Sequence, residues 1–232
     1  MSNEGTRSEG GGMGKNGVMI PNQHAIWDQG WKGQRQPASG FARRSIVQAE
    51  ETLGRGPLAV VEFGCGMGTE ACLFARRGHV VTALDFSTSA IAATRQAAQE
   101  AGLTNLTPRQ LDYSRLPLPF PDESFDLAYS HLGLHYFPDP LTTALFAEIR
   151  RILRPGGFFA IRCKSVADPL YGQGDCLAER IYCRNGHVRH FYTKEYMAEK
   201  LAAFDILTLR RATSLRHASA YVEALARRKV GE

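Results

Sequence analysis

Three glycines in one short loop could help to bind a ligand. The segment Glu62-Phe63-Gly64-Cys65-Gly66-Met67-Gly68 follows an apolar run that begins at Leu58. Glycine adopts positive φ easily and leaves room for a ligand near the backbone, and the free N–H groups of a following helix attract polar or anionic groups. We therefore expect a polar or anionic ligand beside this loop.

Two aspartates extend this pattern along the chain. Asp85 lies 17 residues after Gly68 and ends the apolar run 79–85, and Asp112 ends the run 106–112. An acid at the end of the second strand can accept both hydroxyls of a ribose. Asp112, beside Tyr113, is placed to accept from an adenine amino group. Three such features at successive strand ends predict a ligand that contains a nucleoside.

Two common nucleotide-binding motifs do not fit this sequence. A dinucleotide fingerprint, G-x-G-x-x-G, needs glycine at the position of Thr69, which disfavours a nicotinamide dehydrogenase. No G-K-S or G-K-T segment occurs, so a Walker-type phosphate loop is excluded. The nucleoside must therefore be held in another way.

Short apolar runs alternate with stretches of helical period from Leu58 onward. This order is typical of βα units that feed a mostly parallel sheet, so we expect an α/β fold. Ser87 is the expected N-cap of an alanine-rich helix that runs to Ala101. The predicted strands are 58–64, 79–85, 106–112, 125–132, 158–164 and 204–213, the other predicted helices are 41–53, 67–77, 140–153 and 193–203, and the segment from Ser219 stays unassigned.

The chain length fits one domain with two flanking features. Residues 1–22 are polar and rich in glycine, which predicts a disordered tail, and 23–232 are expected to form a single domain. Residues 165–192 have no clear period and are interpreted as a lid or a substrate-loop insertion at the carboxyl edge of the sheet.

Composition narrows the expected partners and compartment. The formal charge is +5, but the basic residues are scattered in short pairs and triplets, so we expect a solvated surface and no nucleic-acid groove. No apolar run approaches the length of a membrane span and the first residues lack a secretory signal, which predicts a cytoplasmic protein without a membrane partner. The five cysteines form no C-x-x-C pair, so reduced thiols and no metal site are expected.

Several segments match one family over residues 58–164. The glycine loop with Asp85, the stretch LDYSRLPLPFPDESFDLAYSHLGLHYF and the stretch EIRRILRPGGFF resemble the motifs of class I S-adenosylmethionine-dependent methyltransferases. This resemblance implies a Rossmann-like, doubly wound fold. Its sheet would have seven mostly parallel strands with an antiparallel strand near the C-terminus, and an N-terminal helical extension would precede it.

The resemblance also implies roles for individual residues. Glu62, the acid before the glycine loop, would help to hold the methionine ammonium of S-adenosyl-L-methionine. Asp85 with Phe86 would contact the ribose, and Asp112 with Tyr113 would contact the adenine. Ser130, after the fourth strand, would approach the sulfonium. Carried over position by position, the cofactor residues are Glu62, Gly64, Cys65, Gly66, Gly68, Asp85, Phe86, Asp112, Tyr113 and Ser130.

The residues for the acceptor are less strongly indicated. If the acceptor must lose a proton, His131 or His135 is the candidate base, although His135 could equally pack under the loop. Trp27 and Trp31 could close over the cofactor, where aromatic faces attract a sulfonium, although both could also be core residues. The residues of the irregular stretch that could line the acceptor pocket are Tyr171, Arg189, His190, Phe191 and Tyr192.

The sequence leaves the reaction open. A methyltransferase acting on a small molecule, of the kind found in secondary metabolism, is favoured because the segment after the fourth strand reads SHLGLHYF and lacks the D/N-P-P-Y pattern of enzymes that methylate nucleic-acid amino groups. An enzyme that cyclises the methionyl moiety and releases methylthioadenosine, as an azetidine-carboxylate-type synthase would, has the same motifs. A non-catalytic binding module is a third reading, disfavoured by the intact loop and acids.

Overall fold

The structure is a computed structural model that describes residues 23–30, 38–54, 56–214 and 218–231. The predicted disordered tail, residues 1–22, and Trp31 lie outside these ranges. In chain order the elements are α1 Gln23–Gly30, α2 Gly40–Leu53, β1 Ala59–Phe63, α3 Thr69–Arg76, β2 Val80–Asp85, α4 Thr88–Glu100, β3 Leu106–Gln110, β4 Phe125–His131, α5 Asp139–Ile152, β5 Leu153–Lys164, β6 Asp175–Ala178, β7 Ile181–Arg184, β8 His187–His190, α6 Lys194–Lys200, β9 Phe204–Ser214 and β10 Ser219–Arg228.

Seven strands form the central sheet in the order β3-β2-β1-β4-β5-β10-β9. The first five in this order are parallel, and β10 lies antiparallel between β5 and β9. The expected fold class, a mostly parallel seven-stranded sheet with an antiparallel strand near the C-terminus, is confirmed. Because the strand order reverses between β1 and β4, the carboxyl edge there is the place where α/β folds commonly bind ligands.

Hydroxyl side chains fix where three helices begin. Ser87 accepts a hydrogen bond from the N–H of Ala90 at 3.1 Å, as its predicted role as an N-cap requires. Ser39 caps α2 and Thr193 caps α6 in the same way. These caps hold the helix starts at the carboxyl edge of the sheet.

Two apolar layers cover the faces of the sheet. One contains Phe63, Ile149 and Phe159 with the residues of α5 and α6, and the other contains Phe74 and Tyr129 with α2, α3 and α4. The five named side chains are fully buried. Of the helices described, none is long and apolar enough to span a membrane.

Two predicted strand boundaries differ from the structure by two residues or more, and the structure assigns the segment that the sequence left open. β3 ends at Gln110 instead of Asp112, because the N–H of Leu111 makes the last bond to Asp85 and the chain then turns. β5 begins at Leu153, which pairs with β4, and a register shift follows, so the proline and glycines after it form a bulge within the strand. The segment from Ser219 is a strand.

The irregular stretch 165–192 contains a small sheet of its own. β6, β7 and β8 are antiparallel neighbours in that order, and each has four residues. Strands this short carry too few alternations to be recognised in a sequence. They stand just after β5, at the carboxyl edge of the central sheet.

Candidate active site

The glycine loop joins β1 to α3 with left-handed backbone at each glycine. The φ angles are 79° at Gly64, 50° at Gly66 and 75° at Gly68. The N–H of Gly66 donates to Asp85 at 3.0 Å, and those of residues 64 and 65 donate to the carbonyl of Leu84. The N–H groups of residues 64, 65 and 66 therefore donate within the protein, and the expected polar or anionic ligand beside the loop stays a prediction.

Two of the glycines allow segments of the protein to touch. A Cβ on Gly64 would lie 2.7 Å from the Cα of Gly133, in the loop after β4. A Cβ on Gly68 would lie 2.8 Å from Thr94 Cγ2, and Thr94 also contacts the Cys65 sulfur at 3.4 Å. The loop is thus fixed between β4 and α4 by close packing.

Glu62 is a buried acid with an unsatisfied oxygen. Its residue is 2 % exposed, and the Oε2 atom has no hydrogen-bond partner among the described residues. Burial raises the pKa of Glu62 well above its usual value, and the charges of Glu70 and Asp85 raise it further. Three acids in one buried place make this site complementary to a cation.

Asp85 lies at the end of β2 and is almost fully buried. One carboxylate oxygen accepts from the N–H of Gly66 and the other from the N–H of Ser87, both at 3.0 Å. Each oxygen can accept a further bond. Burial raises the pKa of Asp85 despite these bonds.

Helix α1 is attached directly beside Asp85. Asp28 accepts from the hydroxyl of Ser87 at 2.7 Å and from the N–H of Ser89 at 3.1 Å. These bonds, with the Ser87 contact largest, lower the pKa of Asp28. The N-terminal extension therefore covers the carboxyl edge at the start of α4.

Asp112 and Phe86 share a cavity of about 510 Å³ with residues of β3 and the proline-rich loop. Asp112 also accepts bonds within its own turn, from the N–H of Ser114 at 3.1 Å and from Arg115 Nε at 3.1 Å. Tyr113 points elsewhere: it is 3 % exposed, and its hydroxyl donates to the carbonyl of residue 133 at 3.2 Å. The cavity therefore brings together Phe86, predicted for the ribose, and Asp112, predicted for the adenine, but not Tyr113.

Ser130 and His131 end β4 with opposite orientations. The buried Ser130 hydroxyl donates to the carbonyl of Phe63 at 3.1 Å and accepts from the N–H of Gly133 at 3.2 Å, so it joins the β1 and β4 loops. His131 instead places Nδ1 3.3 Å from Glu70 Oε1, and a quarter of its side chain is exposed. A histidine and a carboxylate are thus paired at the switch point.

Glu70 is the site residue that the sequence reading missed. Burial alone would raise its pKa, but hydrogen bonds from His131 and Ser39 lower it overall, so Glu70 is an anion. It lies in the first turn of α3, where an acid favours the helix dipole. An acid at this position is common in helices, so the sequence gives little sign that Glu70 also contacts His131. Its spacing from Glu62 is the one signal that could have indicated it.

His135 is enclosed in the loop after β4. It is 1 % exposed, its Nδ1 atom has no partner in the described part of the chain, and its ring lies 4.3 Å from that of Tyr136. Burial lowers its pKa well below the usual value, and the positive charges of Arg189 and Lys164 lower it further. His135 is therefore a neutral imidazole.

The other predicted acceptor residues divide into two groups. His190 and Tyr192 are fully buried: His190 Nδ1 contacts the carbonyl of Phe137 at 3.0 Å, and both rings pack on Tyr196. Tyr171 is 38 % exposed and packs with Phe191 at 5.5 Å. The first pair thus packs against α6, whereas Tyr171 and Phe191 both contact the ring of Tyr182 on β7.

Trp27 connects α1 to the acceptor side. Its ring lies 5.2 Å from Tyr136 and 4.8 Å from His187 of β8, both edge to face. Gln23, on the same helix, pairs its carboxamide with the exposed edge of β8: it donates to the carbonyl of Gly186 at 2.7 Å and accepts from the N–H of Val188 at 3.1 Å. Helix α1 thus spans from α4 to β8.

Among the described residues, neither the cysteines nor a group of metal-ligating side chains adds a further site. Cys65, Cys72, Cys163 and Cys183 are buried free thiols and Cys176 is exposed. Burial raises the pKa of Cys65 well above its usual value, so it is not a thiolate. No group of three or more His, Cys, Asp or Glu within the described ranges is arranged to hold a metal ion.

Comparison with known sequences identifies the central part of the chain. Residues 60–157 match the family described as "Methyltransferase domain". The methyltransferase phqN of Penicillium fellutanum is 28% identical over 156 residues, which is 65% of this chain and 47% of that protein. A demethylmenaquinone methyltransferase of Listeria welshimeri is 33% identical over 114 residues, 47% of this chain and 45% of that protein. The chain spans less than half the length of these curated relatives.

Solved structures share the fold over most of the chain. A 1,6-didemethyltoxoflavin-N1-methyltransferase of Burkholderia thailandensis, with bound 1,6-didemethyltoxoflavin and S-adenosylhomocysteine, aligns with a TM-score of 0.66 at 24% identity, covering 89% of this chain and 84% of that one. A methyltransferase of Methanosarcina mazei aligns with a TM-score of 0.68 at 19% identity, covering 84% and 100%. At these identities the likeness concerns the fold. Residues 60–157 match a methyltransferase domain, and the strand order of the chain is that of the Rossmann-like fold of these S-adenosylmethionine-dependent methyltransferases.

Proposed function

We propose that this protein binds S-adenosylmethionine at the carboxyl edge of β1, β2 and β4 and transfers its methyl group to a small-molecule acceptor. The observation that carries the proposal is the buried, unpartnered Oε2 of Glu62 beside Glu70 and Asp85. A buried carboxylate without a partner is costly, and a cationic ligand removes that cost. S-adenosylmethionine has two positive groups, whereas the phosphates of a dinucleotide would meet three acids.

The residues present fit this cofactor in the roles that family resemblance implies. Glu62 would hold the ammonium, Asp85 has acceptor capacity for a ribose, and Phe86 and Asp112 line a cavity suited to a base. When bound, the cofactor supplies a methyl group that is attached to a positively charged sulfur. After transfer of the methyl group, that sulfur is a neutral thioether. Because that reaction needs mainly alignment, the task of the protein is to orient the acceptor.

His131 is the proposed general base for an acceptor that loses a proton. The contact between its Nδ1 and Glu70 fixes the ring, as a carboxylate orients the histidine of a hydrolase triad, and leaves Nε2 for the acceptor. Glu70 is then a positioning residue. His135, the other predicted base, is more deeply enclosed, and we assign it to the wall of the acceptor pocket.

Helix α1 is the proposed cover of the site. Its bonds from Asp28 to the start of α4 and from Gln23 to β8 hold it across the carboxyl edge, with Trp27 facing the loop after β4. A cover of this kind excludes water from a reactive sulfonium. This supports catalysis rather than a purely binding role.

Cyclisation of the methionyl moiety is the alternative reaction. A protein described as a [4+2]-cyclase, SpnF, which is a different kind of cyclisation, shares the fold with a TM-score of 0.64 at 21% identity, covering 87% of this chain and 86% of that one. Fold alone therefore does not determine the reaction. The acids, the His131 pair and the cover would serve either chemistry.

Product analysis separates the two reactions. The protein is incubated with methyl-labelled S-adenosylmethionine, alone and with a library of small aromatic and heteroaromatic acceptors, and the products are identified by mass spectrometry. Methyl transfer predicts S-adenosylhomocysteine and a labelled product only when an acceptor is present. Methylthioadenosine formed without an acceptor would overturn the proposal in favour of cyclisation.

A further inference from the structure

Unpaired polar groups cluster at one place on the acceptor side. Tyr136 and Arg189 are half-buried, and neither the tyrosine hydroxyl nor the guanidinium has a hydrogen-bond partner among the residues that the structure describes. The Nδ1 atoms of His135 and His187 are buried and equally unsatisfied within that part of the chain. Buried polar groups usually have partners, so the two buried imidazole nitrogens without one, next to a tyrosine and an arginine that can still form hydrogen bonds, point to a ligand.

The backbone brings these four groups to one place. His187 and Arg189 alternate along β8 and so project from the same face of the small sheet. Trp27 packs against His187 at 4.8 Å and against Tyr136 at 5.2 Å, and His135 stacks on Tyr136 at 4.3 Å. This cluster lies between α1, the loop after β4 and β8, and we take it as the candidate acceptor pocket.

The walls of this pocket are held rigidly. The N–H of His190 donates to the carbonyl of His135 at 2.8 Å, which joins β8 to the loop after β4. The carboxamide of Gln23 joins β8 to α1 through two further bonds. Aromatic walls attached to one strand favour a flat ligand.

The charge in the pocket is positive. Burial lowers the pKa of His135 and His187, and the charge of Arg189 lowers both further, so Arg189 remains as the cation. Burial raises the pKa of Tyr136, which Arg189 opposes and Asp85 reinforces. Asp28, next to Trp27 on α1, bonds to Ser87, and Ser87 bonds to Asp85, which supports a position of the pocket near the cofactor residues.

We propose that this pocket binds a planar aromatic acceptor through an ionised oxygen substituent, with Arg189 as its counter-ion. The proposal rests on the proposed methyl transfer and names the class of its acceptor, an aromatic carboxylate or a similar oxyanion. Trp27 and Tyr136 would contact the ring, while Arg189 donates charge-assisted hydrogen bonds to the anion. Such an arrangement would orient the acceptor relative to the sulfonium.

A pair of probes that differ only in charge tests the proposal. The protein, saturated with S-adenosylhomocysteine, is titrated with 4-hydroxybenzoate and with 4-hydroxybenzamide by ligand-observed NMR. We expect the carboxylate to bind at least about tenfold more tightly than the amide, the smaller end of the range for a hydrogen bond to a charged group. In Arg189→Gln this preference disappears while the affinity for the amide stays within about twofold of the wild type.

A control on the same hairpin separates the pocket from general charge. Arg184 lies on β7, is exposed and bonds to Gln173, so Arg184→Gln keeps the preference for the carboxylate. Equal affinities for the two probes, no saturable binding of either, or equal losses in the two variants would overturn the proposal. Affinity for S-adenosylhomocysteine is measured in parallel. If the wild type fails to bind it, the proposed function fails, whatever the probes show.

Discussion

The substitution Glu62→Gln tests whether the carboxylate of Glu62 binds the ammonium group of the cofactor. The amide has the same shape as the carboxylate and removes only its charge. Glu62 is 2 % exposed and one of its oxygens has no partner among the described residues, so an ammonium placed there would form a hydrogen bond that is shielded from water. Hydrogen bonds to charged groups contribute about 1.5–3 kcal/mol. A loss of about 2 kcal/mol corresponds to roughly a 30-fold weaker affinity.

Calorimetry with two nucleosides isolates this effect. S-adenosylhomocysteine has the amino-acid group, whereas 5′-methylthioadenosine lacks it and shares the adenosine. We expect Glu62→Gln to weaken the first by about 30-fold and to leave the second within about twofold. Glu148→Gln is the control, since Glu148 pairs with Arg151 on α5. Equal losses for the two nucleosides, or no loss for either, would refute the assignment of Glu62 to the ammonium.

Three further results are expected. Folding raises the pKa of Glu62, so the stability that this side chain contributes is present below its usual pKa of 4.5 and is lost as pH rises through the raised pKa. In denaturant titrations without ligand, the free energy of unfolding of Glu62→Gln should therefore increase relative to that of the wild type above pH 4.5, and a difference that does not change with pH would contradict this. Gly133→Ala should lower the free energy of unfolding by about 3 kcal/mol, since its Cβ would lie 2.1 Å from the carbonyl oxygen of Phe63, whereas Gly56→Ala, with open space, should be nearly neutral in the same titrations. For an acceptor that loses a proton, His131→Gln should lower kcat by about 100-fold without changing the affinity for S-adenosylhomocysteine, and an unchanged kcat would exclude it as the base.

The strand ends were predictable because their signals are local. The apolar runs and the turn residues after them determine where β1 and β2 stop, and parallel strands bring their carboxyl ends to one edge. Glu62, the glycine loop and Asp85 could therefore be assigned to one site before any tertiary contact was known. Asp112 shows the limit: its strand ends two residues earlier, and the aspartate turns back to bond with Ser114.

The acceptor side depends on contacts that are distant in sequence. Gln23 meets β8 across more than 160 residues, and Trp27 meets Tyr136 and His187. No local pattern encodes such contacts, so the sequence reading could name the irregular stretch as a substrate loop but could not separate Arg189 from its buried neighbour His190. The predicted cytoplasmic location and domain limits also stay predictions.

Direct titration of the wild type with S-adenosylhomocysteine and with NAD⁺ tests the central claim most directly. That claim is that the acids at the ends of β1 and β2 form a site for a nucleoside that carries an ammonium group. Calorimetry should show saturable one-to-one binding of S-adenosylhomocysteine and no saturable heat with NAD⁺, whose phosphates would face Glu62, Glu70 and Asp85. Saturable binding of NAD⁺, or no binding of S-adenosylhomocysteine, would contradict the account.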